Sequence, residues 1–148
     1  MANFNSDRCS FQMQVDGWTG NYELCNDAEV GMYFAHEVFT TSADLNYLLE
    51  GLPDNQCQIP HYGYVIRGKW GFIHDGKEEI HNAGEAFYAP PGHIGRYFAG
   101  TEIIYFSPLA EDFADTFDSF CRNIMRVNQA KGEELVAAIQ QLKKQRST

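Results

Sequence analysis

The chain has 148 residues, 44% hydrophobic and 21% charged, and 11 basic against 20 acidic residues give a formal net charge of −9. That length suits one domain with one real hydrophobic core, and such an acidic chain repels phosphate backbones and anionic lipid, so nucleic acid and membrane surfaces are excluded as expected partners. No apolar run approaches the roughly 20 residues needed to cross a bilayer.

The opening Met1–Asp7 carries neither a basic n-region nor an apolar h-region, so a cytoplasmic protein is expected. Cys9, Cys25, Cys57 and Cys121 are scattered without a C-x-x-C pair and read as thiols rather than a disulfide framework. Eleven Phe, eight Tyr and thirteen Gly favour strands and tight turns.

In chain order, Val30–Thr40 reads as an early strand and Tyr62–Ile73 as another. Asp75-Gly76 between Gly71–His74 and Lys77–Ile80 is a two-residue hairpin signal, because a type I′ turn needs positive φ at both positions. Ala83-Gly84-Glu85 turns into the short strand Ala86–Ala89, and Pro90-Pro91-Gly92 turns again. His93–Phe98 follows, then Ala99-Gly100, then the last strand Glu102–Phe106. Many short strands joined by tight turns predict a closed or sandwich-like antiparallel sheet over about residues 10–107.

The texture changes near Ser107-Pro108, after which no Pro and one Gly occur. Phe113, Phe117, Phe120 and Ile124, then Leu135, Ala138, Ile139 and Leu142, recur at helical intervals. Two helices, roughly 111–127 and 131–145, are expected within a tail spanning about 108–145, with apolar stripes covering the barrel's outside or a subunit partner.

The centre of the chain carries the chemistry. Tyr64-Val65-Ile66-Arg67-Gly68 resembles the end of the first cupin motif, H-x-H, three or four residues, E, six residues, G. Gly84 to Gly92 resembles the start of the second, G, five residues, P-x-G, two residues, H, and fifteen residues separate Gly68 from Gly84. The stretch Gly51–Val65 is similar to a cupin subgroup with the pattern G-L-P-D-x-x-C-x-x-P-H-x-G-Y-V, which implies no settled activity. The resemblance implies a single cupin domain over residues 1–148. Its fold would be an all-β antiparallel barrel of the double-stranded β-helix, or jelly-roll, type with C-terminal α-helices, holding a metal or small molecule at its mouth, and a homodimer.

Carried over residue by residue, the family's usual three-His-one-Glu set is absent. The motif glutamate falls on His61, the two motif histidines on Asn55 and Cys57, and the second-motif histidine on Gly95, with His93 two residues earlier. On a straight strand, residues four apart share a face but stand about 13 Å apart. Cys57 and His61 can therefore share an ion only if the chain bends, and Pro60 between them fixes its own φ and extends Ile59. His93 keeps the strand parity of Gly95 and completes the expected set. One thiolate with imidazoles suits Zn²⁺ most simply, with Fe, Ni or Cu also compatible, and three protein ligands leave a position open. The alternative is a buried apolar thiol at Cys57 and a hydrogen-bonded strand-end histidine at His61.

Three further residues are expected near the ligand: His36 facing the interior, Tyr88, and Arg96 beside the mouth, able to hold a carboxylate. His74 and His81 adjoin turns and are expected in solvent. The function expected is a metal-binding cupin holding a small polar or aromatic molecule, with enzyme and non-catalytic metal, metabolite or redox sensor as the two alternatives.

Overall fold

A computed structural model of the protein describes residues 11–15, 17–24, 31–42, 44–108, 116, 119–120, 122–123, 125–126 and 129–146. Among the described residues nine strands run in chain order: β1 (Phe11–Val15), β2 (Trp18–Leu24), β3 (Met32–Phe39), β4 (His61–Arg67), β5 (Lys69–His74), β6 (Lys77–Asn82), β7 (Ala86–Ala89), β8 (His93–Arg96) and β9 (Thr101–Pro108), followed by helix α1 (Gln129–Arg146). They form a six-stranded sheet ordered β1-β2-β3-β9-β4-β7 and a three-stranded sheet ordered β6-β5-β8, with every pairing antiparallel. The fold is thus the antiparallel β-barrel of the jelly-roll type that the motif resemblance implies.

Period-2 alternation decides what faces inward. On β3, Tyr33, Ala35, Glu37 and Phe39 are buried, and on β9 so are Thr101, Ile103, Tyr105 and Ser107, while their neighbours point outward. The two strands pair along their whole length, Tyr33 opposite Ser107 and Ala35 opposite Tyr105, so both inward rows meet on one wall of the interior.

The Asp75-Gly76 hairpin forms as predicted, with φ of 49° and 72° at its two central residues. The run Tyr62–Ile73, expected as one strand, is two. At Gly68 (φ 75°) the chain leaves the large sheet and enters the small one, and a Cβ there would run into the Gly100 carbonyl and Thr101. The strand expected over His93–Phe98 stops at Arg96, because Tyr97 turns back over Gly95.

The tail is helical where it is described, at residues between 116 and 126 and through α1. Its placement is only partly the expected one. Helix α1 lies against β1, and Val136 packs on the core. The preceding segment instead covers the chain that rims the interior: Asn123 Nδ2 donates to the Leu48 and Glu50 carbonyls at 2.8 and 2.9 Å, and Ser119 Oγ to Glu50 at 3.3 Å. Phe113, Phe117, Ile124, Cys9, Cys25 and Cys121 lie outside the described residues, as do the side chains of Leu135, Ala138, Ile139 and Leu142. Among the described residues no helix is long and apolar enough to cross a membrane.

Candidate metal centre

The barrel encloses a cavity of about 70 Å³, lined by Cys57, His61 and His93 together with aromatic side chains and one carboxylate. One ligand atom from each of the three lies within 4.8 Å of the others, and all three residues are buried.

Three local features bring them together. A bend at Ile59, just before Pro60, turns the chain between Cys57 and His61, so Cys57 Sγ stands 3.7 Å from His61 Nε2. Cys57 and His93 form an isolated antiparallel bridge, with Cys57 N–H donating to the His93 carbonyl at 2.8 Å and the Gly92 and His93 N–H groups returning to the Cys57 carbonyl. His61 begins β4 directly opposite Ala89 of β7, at the end of that strand pair.

The outer nitrogens of both imidazoles are held. His93 Nδ1 is 2.7 Å from the Pro90 carbonyl, which only accepts, so Nδ1 carries the proton and Nε2 keeps its lone pair. His61 Nδ1 is 2.7 Å from Ser107 Oγ, leaving Nε2 towards Cys57. Burial, then the neighbouring His93, pushes the His61 pKa well below the ordinary imidazole range, and burial lowers that of His93. Neutral imidazoles with oriented lone pairs are what a metal needs. Tetrahedral zinc, with Zn–S near 2.3 Å and Zn–N near 2.05 Å, separates sulfur and nitrogen by about 3.6 Å. The 3.7 Å spacing of Cys57 and His61 fits that geometry.

The positions where the family's other ligands would stand are otherwise employed. Asn55 adopts φ 53° and accepts the Gly51 N–H at 3.0 Å, exposed at a turn. At Gly95 a Cβ would collide with the Tyr97 ring and hydroxyl.

The three other residues singled out from the sequence lie apart from this cluster. His36 sits on the opposite face of β3 from the interior, its Nε2 2.9 Å from Glu102 Oε1. Tyr88 is 48% exposed on β7 and stacks on Tyr62 outside the sheet. Arg96 is exposed and pairs with Glu78 at 3.4 Å. His81, expected in solvent, is half-buried and stacks on Phe72.

The residue that sequence reasoning missed is Glu37, which occupies the inward position next to His36. It is 7% exposed and accepts hydrogen bonds from Tyr22 and Tyr105, both at 2.8 Å. Burial raises its pKa, opposed by Tyr22, Tyr105 and Trp18 as donors, and by His36; the Trp18 indole N–H stands near enough to favour the carboxylate without meeting hydrogen-bond geometry. Tyr105 links the two ends of the site, its ring 4.3 Å from that of His61 and its hydroxyl on Glu37. The sign available in the sequence was parity: Glu37 shares its strand face with Tyr33 and Ala35.

No protein-family profile and no curated protein matches the chain. Solved structures do. A Rhizobium leguminosarum protein of unknown function superposes with a TM-score of 0.53 at 15% identity, over 74% of this chain and 98% of that one. The polyketide cyclase RemF of Streptomyces resistomycificus gives 0.51 at 15%, over 74% and 80%. The EutQ protein of Clostridium difficile gives 0.50 at 14%, over 69% of each chain. Identities this low speak for fold alone. The chain's two-sheet antiparallel barrel therefore shares the fold of these structures.

Proposed function

We propose that the protein is a metal-dependent small-molecule cupin, in which Cys57, His61 and His93 hold one divalent transition ion with a coordination position open to a ligand. The observation carrying this reading is the convergence of three buried ligand atoms within 4.8 Å inside a cavity. One thiolate and two imidazoles favour zinc, and iron, nickel or copper match the same donors less simply. Bound there, the ion supplies Lewis-acid polarisation of a ligand oxygen or an activated water.

The chain's own residues do the rest. Ser107 and the Pro90 carbonyl orient the two imidazoles, aromatic walls exclude water, and Glu37 places a proton-exchanging carboxyl in the same cavity. These features support an enzyme acting on a small polar molecule. The test is a screen of metal-loaded protein against small carboxylates, phenols and keto acids. Turnover that is lost on chelation and in His61→Ala supports catalysis, and thermal shifts without turnover replace it with binding.

A second reading is a non-catalytic sensor. Phe120, in the helical tail, lines the cavity while Ser119 and Asn123 on the same segment bond the rim. Occupancy is thereby tied to the tail's position, as a reporter requires.

A homodimer fits the outer face of β4 and β7, where Tyr62, Tyr64, Ile66 and Tyr88 are exposed side by side. A contiguous apolar patch on a sheet face is the kind of surface that a second copy covers. A reducing compartment such as the cytoplasm suits Cys57, a buried thiol outside any disulfide. Residues Tyr88, Arg96 and His36 fit this reading as surface groups rather than as ligand contacts.

A further inference from the structure

Beside the three candidate ligands, the same cavity holds buried polar groups that a metal leaves unused. Both hydrogen bonds to Glu37 end on Oε1, and among the described residues none ends on Oε2. Trp18 and Trp70, 4% and 5% exposed, also line the cavity, and their indole N–H groups are buried without a partner in hydrogen-bond geometry. Native interiors rarely leave buried N–H groups unmade, so two of them around a cavity that also holds the Glu37 carboxylate point to a ligand that completes them.

Their chemistry selects the ligand group. Among the described residues no lysine or arginine lines the cavity, so an anionic group finds its compensation at the metal. An ammonium group has donors alone and would face the indole N–H groups with like polarity. An apolar group would satisfy nothing. A hydroxyl both donates and accepts: its O–H reaches a carboxylate oxygen while its own oxygen takes an indole N–H.

We infer that Glu37, Trp18 and Trp70 form a hydroxyl-recognising subsite, so that the cavity takes a small molecule with a metal-binding oxygen group at one end and an uncharged hydroxyl at the other. This deepens the proposed function and rests on its small-molecule reading, although the subsite itself needs no metal. A cavity of about 70 Å³ has room for roughly five heavy atoms, judged by the space one water needs. Small hydroxy acids have that size.

The test is calorimetric titration of the full chain with glycolate, acetate and glycine, in zinc-loaded and in EDTA-treated protein. All three probes share a carboxylate; glycolate adds a hydroxyl, and glycine adds an ammonium. Glycolate is expected to bind about tenfold tighter than acetate, the size of one good hydrogen bond to a charged group, with glycine no tighter than acetate. Glu37→Gln should bring glycolate towards the acetate level, because Tyr22 and Tyr105 hold the amide oxygen at the Oε1 place and the NH₂ at the other leaves the hydroxyl proton without an acceptor. Trp18→Phe should do the same by removing the N–H and keeping the ring. Equal affinity for glycolate and acetate, which would mean that water alone fills the subsite, overturns the inference, as does tighter glycine or no glycolate binding in either preparation. The wild-type series decides even if a variant folds poorly. Failure of the metal reading alone has a different signature: the glycolate preference survives, and EDTA changes neither affinity.

Discussion

Cys57 Sγ stands 3.7 Å from His61 Nε2, although four residues separate them and a straight strand would carry them about 13 Å apart. The bend at Ile59 before Pro60 removes that distance, and the backbone bridge from Cys57 to His93 brings in the third side chain. Pro60→Gly, which loosens the corner without adding bulk, is expected to lower zinc affinity several-fold while the barrel's strand signal in circular dichroism stays unchanged. Unchanged affinity would show that the bend is held by the surrounding packing alone.

Ser107 Oγ stands 2.7 Å from His61 Nδ1. Groups that orient a metal-bound histidine are worth about 10–100-fold in affinity. Ser107→Ala should weaken zinc binding by that factor in a competition assay with a chromophoric chelator, and Ser107→Thr should retain most of it. Equal affinities for all three proteins would detach Ser107 from the centre.

Gly95 stands where the second cupin motif has a histidine, and Tyr97 fills the space that side chain would need. Gly95→His is expected to destabilise the fold by about 1–3 kcal/mol through overpacking. Adding Tyr97→Ala should recover part of that loss and raise metal affinity above wild type. Chemical denaturation and metal competition measure the two effects, and a Gly95→His protein as stable as wild type contradicts the packing argument.

Glu37 provides a pH prediction. Its folded pKa is raised above the ordinary 4.5 by burial, against the pull of Tyr22, Tyr105, Trp18 and His36. A raised folded pKa means that the folded state binds the proton more tightly than the unfolded chain. The associated stability is full below about 4.5 and is lost as pH rises through the elevated value. Glu37→Gln keeps an acceptor for both tyrosines and cannot ionise. Metal-free Glu37→Gln should therefore melt a few degrees above wild type near neutral pH, with the gap closing as pH falls towards 4.5. A gap that widens on acidification would show an opposite shift.

Much of this was legible in the sequence, for identifiable reasons. The turn at Asp75-Gly76 and the motif glycines Gly68 and Gly84 demand positive φ, and all are positive in the structure, so local chemistry fixed the barrel's corners. Cys57 and His61 stood out because they fall on ligand positions of the first cupin motif, with a proline between them to bend the chain. His36 did not resolve, because β3 carries aromatic or aliphatic side chains on both faces and hydrophobicity alone leaves its parity open. Partners distant in sequence settle it: Tyr22 and Tyr105 draw Glu37 inward, and Glu102 takes His36 outward. Helical periodicity in the tail was readable, but its docking on Leu48 and Glu50 depends on Asn123, a polar residue outside the apolar stripe.

The exposed row of Tyr62, Tyr64, Ile66 and Tyr88 gives an assembly prediction. Light scattering should give a dimer mass at micromolar concentration, and Tyr64→Glu should give a monomer with the fold intact. A monomeric wild-type protein would remove the dimer.

Elemental analysis of tag-free protein purified without added metal decides whether the metal centre exists. Wild-type protein should carry close to one equivalent of a divalent transition metal, zinc foremost, falling below about a tenth of an equivalent in Cys57→Ala and in His61→Ala. Wild-type protein with less than a tenth of an equivalent of any transition metal, unchanged in both variants and unable to take up added zinc, would contradict it and leave an aromatic cavity with no ion.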